Sequence, residues 1–216
     1  MKAIDAKTID LKSANGAIKS SLNGQPVTVE NAGHLHGLAA GLKHGEIVIQ
    51  GSAGDYVGVL NDGATITVTK DAGNYVADNM TKGTVIIQGS TGYGAGQYCY
   101  GGTVVVHGNA GDFTATMNKG ATVIVCGNVG KEVGTYMLKG DLIVAGDAGE
   151  NFANYLIRGS VFIRGKWASL GNNTRQEPLT VDDKARLQAY FDKFDISADP
   201  ATFKKIVAAS EKPFYN

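Results

Sequence analysis

Gly51-Ser52-Ala53-Gly54-Asp55-Tyr56-Val57-Gly58, Gly108-Asn109-Ala110-Gly111-Asp112-Phe113 and Gly146-Asp147-Ala148-Gly149-Glu150-Asn151-Phe152 are versions of one phrase. Each follows a short apolar strand and leads through a loop to a further glycine. The central glycine recurs as Gly54, Gly73, Gly92, Gly111, Gly130 and Gly149, in steps of 19 residues (73 − 54, 92 − 73 and onward). A fixed period of this size marks a solenoid, whose coils bury their apolar faces only by stacking on one another. The fold class expected is all-β, a parallel β-helix of about seven coils over residues 27–175. An N-terminal cap segment (1–26) and a helical C-terminal tail (176–216) flank it.

Within each coil the strand alternates with period two, so its faces can be assigned. One face carries Ile47/Ile49, Ile66/Val68, Val85/Ile87, Val104/Val106, Val123/Val125, Leu142/Val144 and Val161/Ile163. Every member is Val, Ile or Leu, so this face points inward, and β-branching suits a pleated surface better than a helix. The opposite face has two columns. Gln50, Thr69, Gln88, His107, Cys126, Ala145 and Arg164 form a mostly polar ladder. Beside it, Ile86, Val105, Ile124, Ile143 and Phe162 make an outward apolar stripe. A soluble monomer rarely leaves such a stripe bare. Either the chain's own tail covers it or another subunit does, and these five residues are the candidate interface.

Gly58, Ala77, Gly96, Ala115, Gly134 and Ala153 stand four residues past the anchoring glycines. A slot that admits only small residues implies a tight corner. The anchoring glycines themselves imply positive φ or close backbone approach. Coils end on Gly63, Gly83, Gly102, Gly120, Gly140 and Gly159, preceded at three residues by Leu60, Met80, Cys99, Met117, Met137 and Leu156. That register makes Cys99 a buried small hydrophobe rather than a nucleophile.

At the ends the signals change. Asn15-Gly16 punctuates the first segment, and Ala17–Leu22 has room for a short helix. Thr180 suits an N-cap, with Asp182 and Asp183 in the first turn and Leu187, Tyr190, Phe191 and Phe194 on one face. Asp199-Pro200 opens a predicted second helix with Phe203, Ile206 and Val207 on its face, stopped by Pro213. Phe214-Tyr215-Asn216 either folds back with these elements or reaches to a partner.

Lys+Arg and Asp+Glu number 20 each, so no net field favours nucleic acid or an anionic membrane. No apolar run approaches spanning length and no signal-peptide pattern opens the chain, which points to a cytoplasmic protein. Gly89–Gly96 invites a nucleotide-loop reading, but no helix follows to hold a pyrophosphate. His34 and His36 share a face without a third metal ligand. His107 and Cys126 sit one coil apart, close enough for a Cys–His pair, yet on a flat ladder with no oxyanion donors. Asp55, Asn74, Asp112 and Glu150 read as turn residues serving local backbone donors. No catalytic, cofactor or metal site is expected.

The three quoted phrases resemble the GXGXG repeats of a right-handed β-helix, over about residues 27–171. That domain closes the large subunit of glutamate synthase. It also stands alone in glutamate-synthase-like complexes, including N-methylglutamate synthase, and forms a separate chain of formylmethanofuran dehydrogenase and of the bacterial formyltransferase/hydrolase complex. Ala168-Ser169-Leu170-Gly171, a following helix, Ala198-Asp199-Pro200-Ala201-Thr202-Phe203 and the terminal Phe-Tyr-Asn look like the end of the stand-alone glutamate-synthase-like subunits. The resemblance implies a non-catalytic structural subunit, with partners of glutamine amidotransferase type and of glutamate-synthase type. FMN and an iron–sulfur cluster would lie on a partner, none on this chain. The alternative implied is the equivalent C1-metabolism subunit; a homo-oligomer is also open. A departure is Thr69-Lys70-Asp71-Ala72-Gly73, which lacks the motif's first glycine. A stand-alone enzyme or carbohydrate-binding β-helix would instead show clustered carboxylates or aromatics, which the outward strand columns do not.

Overall fold

A computed structural model describes residues 2–212 as a parallel β-solenoid of about seven turns. Nine strands stack in chain order and in parallel: β1 (Lys2–Asp5), β2 (Val27–Glu30), β3 (Glu46–Gln50), β4 (Asp62–Val68), β5 (Lys82–Ile87), β6 (Thr103–Val106), β7 (Lys119–Val125), β8 (Lys139–Val144) and β9 (Ser160–Ile163). The register follows the repeat, Ile47 facing Ile66, then Val85, Val104, Val123, Leu142 and Val161. The fourteen inward residues have no exposed surface. Burying each such side chain contributes about 1.5–3 kcal/mol, so this ladder is the main source of stability.

The small corner residues have left-handed backbone, from Gly58 at φ 69 to Ala153 at φ 60. The anchoring glycines do not. A Cβ on Gly111 would lie 2.8 Å from the carbonyl carbon of Gly92 in the coil below, so close approach is their reason.

Two coils depart from the slot pattern. Leu60 and Met117 were expected inside, but they take left-handed conformations and turn outward. The adjacent Asn61 and Asn118 are buried in their place. These loops are one residue shorter, and the residue is regained as a bulge before Thr65 and Thr122. Cys99 does fill the slot, fully buried, with its Sγ 3.1 Å from Ala77 O.

Both ends differ from expectation. The first helix, α1 (Leu11–Ser21), is longer than Ala17–Leu22 and begins at Asp10, which accepts from Ser13 N at 2.7 Å. Asn15-Gly16 lies inside it. Asn15 donates to Gly37 O (3.0 Å) and accepts from Ala39 N (2.7 Å), a tie to the first coil that outweighs weak helix propensity. The helix buries Ala14 and Ile18 against the core. The ladder also starts one rung early, with β1 on β2.

At the other end α2 (Val181–Lys193) forms as read, with a capping box between Thr180 and Asp183. The second predicted helix does not form. Pro200–Thr202 is one 3-10 turn, and Lys204–Ala208 is a strand, paired antiparallel to β9 and to a further strand, Thr174–Glu177. We label these β11 and β10. The open edge of β9 offers unpaired backbone groups, and the alternation around Ile206 satisfies them while burying that side chain. Pro213 and Phe214-Tyr215-Asn216 lie outside the described residues.

Candidate functional site

The stripe Val105, Ile124, Ile143 and Phe162 is buried, and Ile86 is half-buried. Its cover is the chain's own tail: Leu187, Phe191, Phe194 and Phe203 complete a second apolar core with it. As a partner interface the stripe is therefore corrected, because tail and sheet already satisfy one another. Polar contacts frame this seam. Asp183 meets Lys205 Nζ at 2.9 Å and Arg186 at 3.1 Å, Arg186 reaches Asp141 at 3.4 Å, and the hydroxyls of Thr122 and Tyr190 are 2.9 Å apart. Burial opposes ionisation of Asp183, but hydrogen bonds from Thr180 and Lys205 outweigh it and hold its carboxyl below the ordinary range. Burial dominates at Asp141 and raises its pKa against the pull of Arg186.

His107 and Cys126 do approach, with Nδ1 and Sγ 4.0 Å apart. Burial pushes the Cys126 thiol up, opposed by Arg164, and pushes His107 down, opposed by Asp195. Both shifts favour the neutral forms, the opposite of an activated thiolate–imidazolium pair. His36 Nδ1 accepts from Asp55 N at 3.1 Å, and His34 stays exposed. Among the described residues no group of three His, Cys, Asp or Glu side chains converges on a metal position.

The glycine run at 89–96 has spent its donors. The N–H groups of Gly89, Gly92, Gly94 and Gly96 donate to Lys70, Gly73, Asp112 and Val76 carbonyls in adjacent coils. A phosphate cradle needs such donors free. The turn residues likewise reach across coils rather than locally. Asp55 accepts from Asn74 N, Asn74 from Tyr93 N, and Asp112 from Lys131 N, at 2.7–2.9 Å. A parallel column does the same through Asp71, Ser90, Asn109, Asn128 and Asp147.

The outer corners of the solenoid carry aromatic residues that the strand-face reading missed. On one corner Tyr56 stacks on Tyr75 at 4.8 Å, Tyr75 meets Tyr93 edge-on, and Tyr93 lies 4.9 Å from Phe113. On another, Tyr136 stacks on Tyr155 at 5.5 Å, and Lys119 Nζ lies 4.2 Å from the Tyr100 ring centre. The sequence signal was available in part, as Tyr56, Tyr75 and Phe113 two residues past an anchoring glycine (Tyr93 is one past) and Tyr136 and Tyr155 six past. It was obscured because these residues sit on turns, where no period-two rule operates. Within each stack the rings pack against one another, Tyr75 and Tyr93 edge to face and the other pairs stacked or tilted.

An open groove of about 400 Å³ at the C-terminal end is lined by Arg158, Arg175, Glu177 and Glu211. Its arginines are matched, Arg158 by Glu211 and Arg175 by Glu177. No helix among the described residues is long and apolar enough to cross a membrane. No protein-family model and no curated protein matches this chain.

Proposed function

We propose that the chain is a structural subunit of a glutamate-synthase-like complex, a rigid spacer between an amidotransferase-type subunit and an FMN and iron–sulfur subunit. The observation that supports this reading is the repeat itself. The phrases resembling GXGXG lie on stacked coils, and their anchoring glycines make backbone-to-backbone contacts that exclude a Cβ. That gives a stiff prism whose length is fixed by the number of coils. Stiffness of this kind serves spacing and orientation, and chemistry would then reside on the partners. The polar ladder fits such a role, because its Cys–His pair is held neutral.

The test is gentle affinity purification of the tagged chain from its own host, with mass spectrometry and a visible spectrum of the eluate. Glutamate-synthase-like and amidotransferase chains with a flavin spectrum are expected. Formyltransferase and amidohydrolase chains without flavin would replace the reading by its C1-metabolism counterpart. A lone colourless protein would overturn both.

A further inference from the structure

In an Asn-Gly pair the side-chain amide is open to attack by the next backbone nitrogen, because glycine adds no side chain to crowd the ring that forms. The chain contains the pair twice, as Asn15-Gly16 and Asn23-Gly24. The fold treats the two in opposite ways.

Asn15-Gly16 is locked. Both residues lie inside α1, where the helical ladder fixes the backbone and occupies its N–H groups. The Asn15 amide is engaged at both ends, donating to Gly37 O at 3.0 Å and accepting from Ala39 N at 2.7 Å. The Gly16 nitrogen cannot swing onto this side chain unless the helix opens.

Asn23-Gly24 is open. The pair lies in the turn between α1 and β2, and both residues are exposed. Leu22 packs against Gly45 of the first coil and Asn23 N donates to Ser21 O at 2.9 Å, so the start of the turn is held. Beyond that point the Asn23 side chain and the Gly24 N–H have no hydrogen-bond partner among the described residues. A Cβ on Gly24 would meet nothing within 4 Å, and its φ of 87 is a conformation that glycine takes without strain. The attacking nitrogen is thus solvated and uncrowded, and its target amide is free to rotate.

We propose that Asn23 is a self-modification site, which converts in the folded protein to aspartate and isoaspartate. The Gly24 nitrogen gives its proton to hydroxide and attacks Cγ of Asn23. A C–N bond forms and closes a five-membered succinimide, while the Cγ–Nδ2 bond breaks and Nδ2 leaves as ammonia with a proton from water. Water then adds to either ring carbonyl. Breaking the bond from nitrogen to Cγ gives aspartate, and breaking the bond to the main-chain carbonyl carbon gives isoaspartate. No oxidant or reductant takes part, and water with its hydroxide is the only co-reactant. Either product places a negative charge two residues past Ser21, the last residue of α1, where the helix dipole disfavours it. Isoaspartate also adds a methylene to the main chain that leads into β2, and its free carboxylate is a substrate for carboxyl methylation.

The test incubates the purified full chain in oxygen-18 water at mildly alkaline pH, folded and in urea, beside Asn23→Gln. Tryptic cleavage at Lys19 separates the two pairs, and fragmentation mass spectrometry locates the product. Expected at Asn23 are the mass gain of an amide-to-acid change with a single heavy oxygen, isoaspartate fragments, and a rate that rises with pH. Asn15 should convert at least about tenfold more slowly in the folded chain, since α1 must first open there. That difference should largely disappear in urea. The thermal midpoint of the aged parent should fall, and that of aged Asn23→Gln should not. No conversion at Asn23, or equal conversion at Asn15 in the folded chain, would overturn the proposal. A difference that persists in urea would assign it to local sequence and overturn the structural argument. If Asn23→Gln fails to fold, the comparison of folded parent with urea decides by itself.

Discussion

Asn118 and Ala121 close a reciprocal pair inside the solenoid: Asn118 donates from Nδ2 to Ala121 O, and its Oδ1 accepts from Ala121 N, both at 2.8 Å. Asn61 and Ala64 repeat it three coils earlier, at 2.9 and 3.0 Å. Each asparagine makes good the backbone bonds that its shortened loop would leave open in the core. Asn118→Leu restores the apolar residue found in other coils but strands those groups. Its expected cost is about 2–4 kcal/mol, more than a neutral core swap, measured by urea unfolding. A variant as stable as the parent would show that the loop adopts the longer coils' geometry.

Glycine demand is positional. Gly111→Ala puts a methyl group against the backbone of Gly92, which cannot move without displacing a coil, so a loss of about 3 kcal/mol or outright misfolding is expected. Gly16→Ala, inside α1, meets nothing within 4 Å and should stabilise by about 0.5–1 kcal/mol. Thermal midpoints of the two variants should therefore move in opposite directions; movement in the same direction would sink the argument.

The seam under α2 makes stability depend on pH. The carboxyl of Asp183 titrates lower in the folded chain than in the unfolded one. Its contribution is thus full above about pH 4 and lost as pH falls through the folded value. Asp141 has the opposite sign: its raised pKa means that mild acid relieves a buried charge. Stability should therefore hold or rise in mild acid and drop only below about pH 4. Asp183→Asn takes the negative charge out of the capping box and leaves Lys205, whose side chain is 13% exposed, without its carboxylate. A cost of about 3 kcal/mol near neutrality is expected, shrinking as pH falls through the lowered folded value, where the parent is protonated as well. A gap that stays constant across that range would refute the linkage.

Thiol reactivity should separate the two cysteines. Burial pushes the Cys99 thiol up to about 12, so it should resist a disulfide reagent near pH 8 until the chain unfolds. Cys126, half-buried with a raised pKa, should react more slowly than a free thiol but without denaturant. Rapid labelling of Cys126 would show that His107 activates it after all.

Local period made most of the solenoid legible. Alternation at Ile47/Ile49 and its successors, with glycine every 19 residues, fixes coil length, inner face and strand register, because stacking identical coils leaves one arrangement that buries every Val, Ile and Leu. The N-cap at Thr180 was equally local. The stripe through Ile124 was visible too, but what covers it was not: that depends on where α2 returns, a contact between residues far apart in sequence. The same non-local reason turned the segment at Lys204–Ala208 from an expected helix into a strand, since the open edge of β9 decides it. The slot expected at Leu60 and Met117 belongs instead to Asn61 and Asn118, which the shortened turn draws inside. The outer tyrosines were less legible than the strands, because residues such as Tyr136 and Tyr155 recur on left-handed turns, where the period-two rule assigns no face. Sequence alone therefore determined the repeat and its core, through short-range periodicity. Tertiary structure decided which surfaces remain open, because exposure is set by elements that return from a distance.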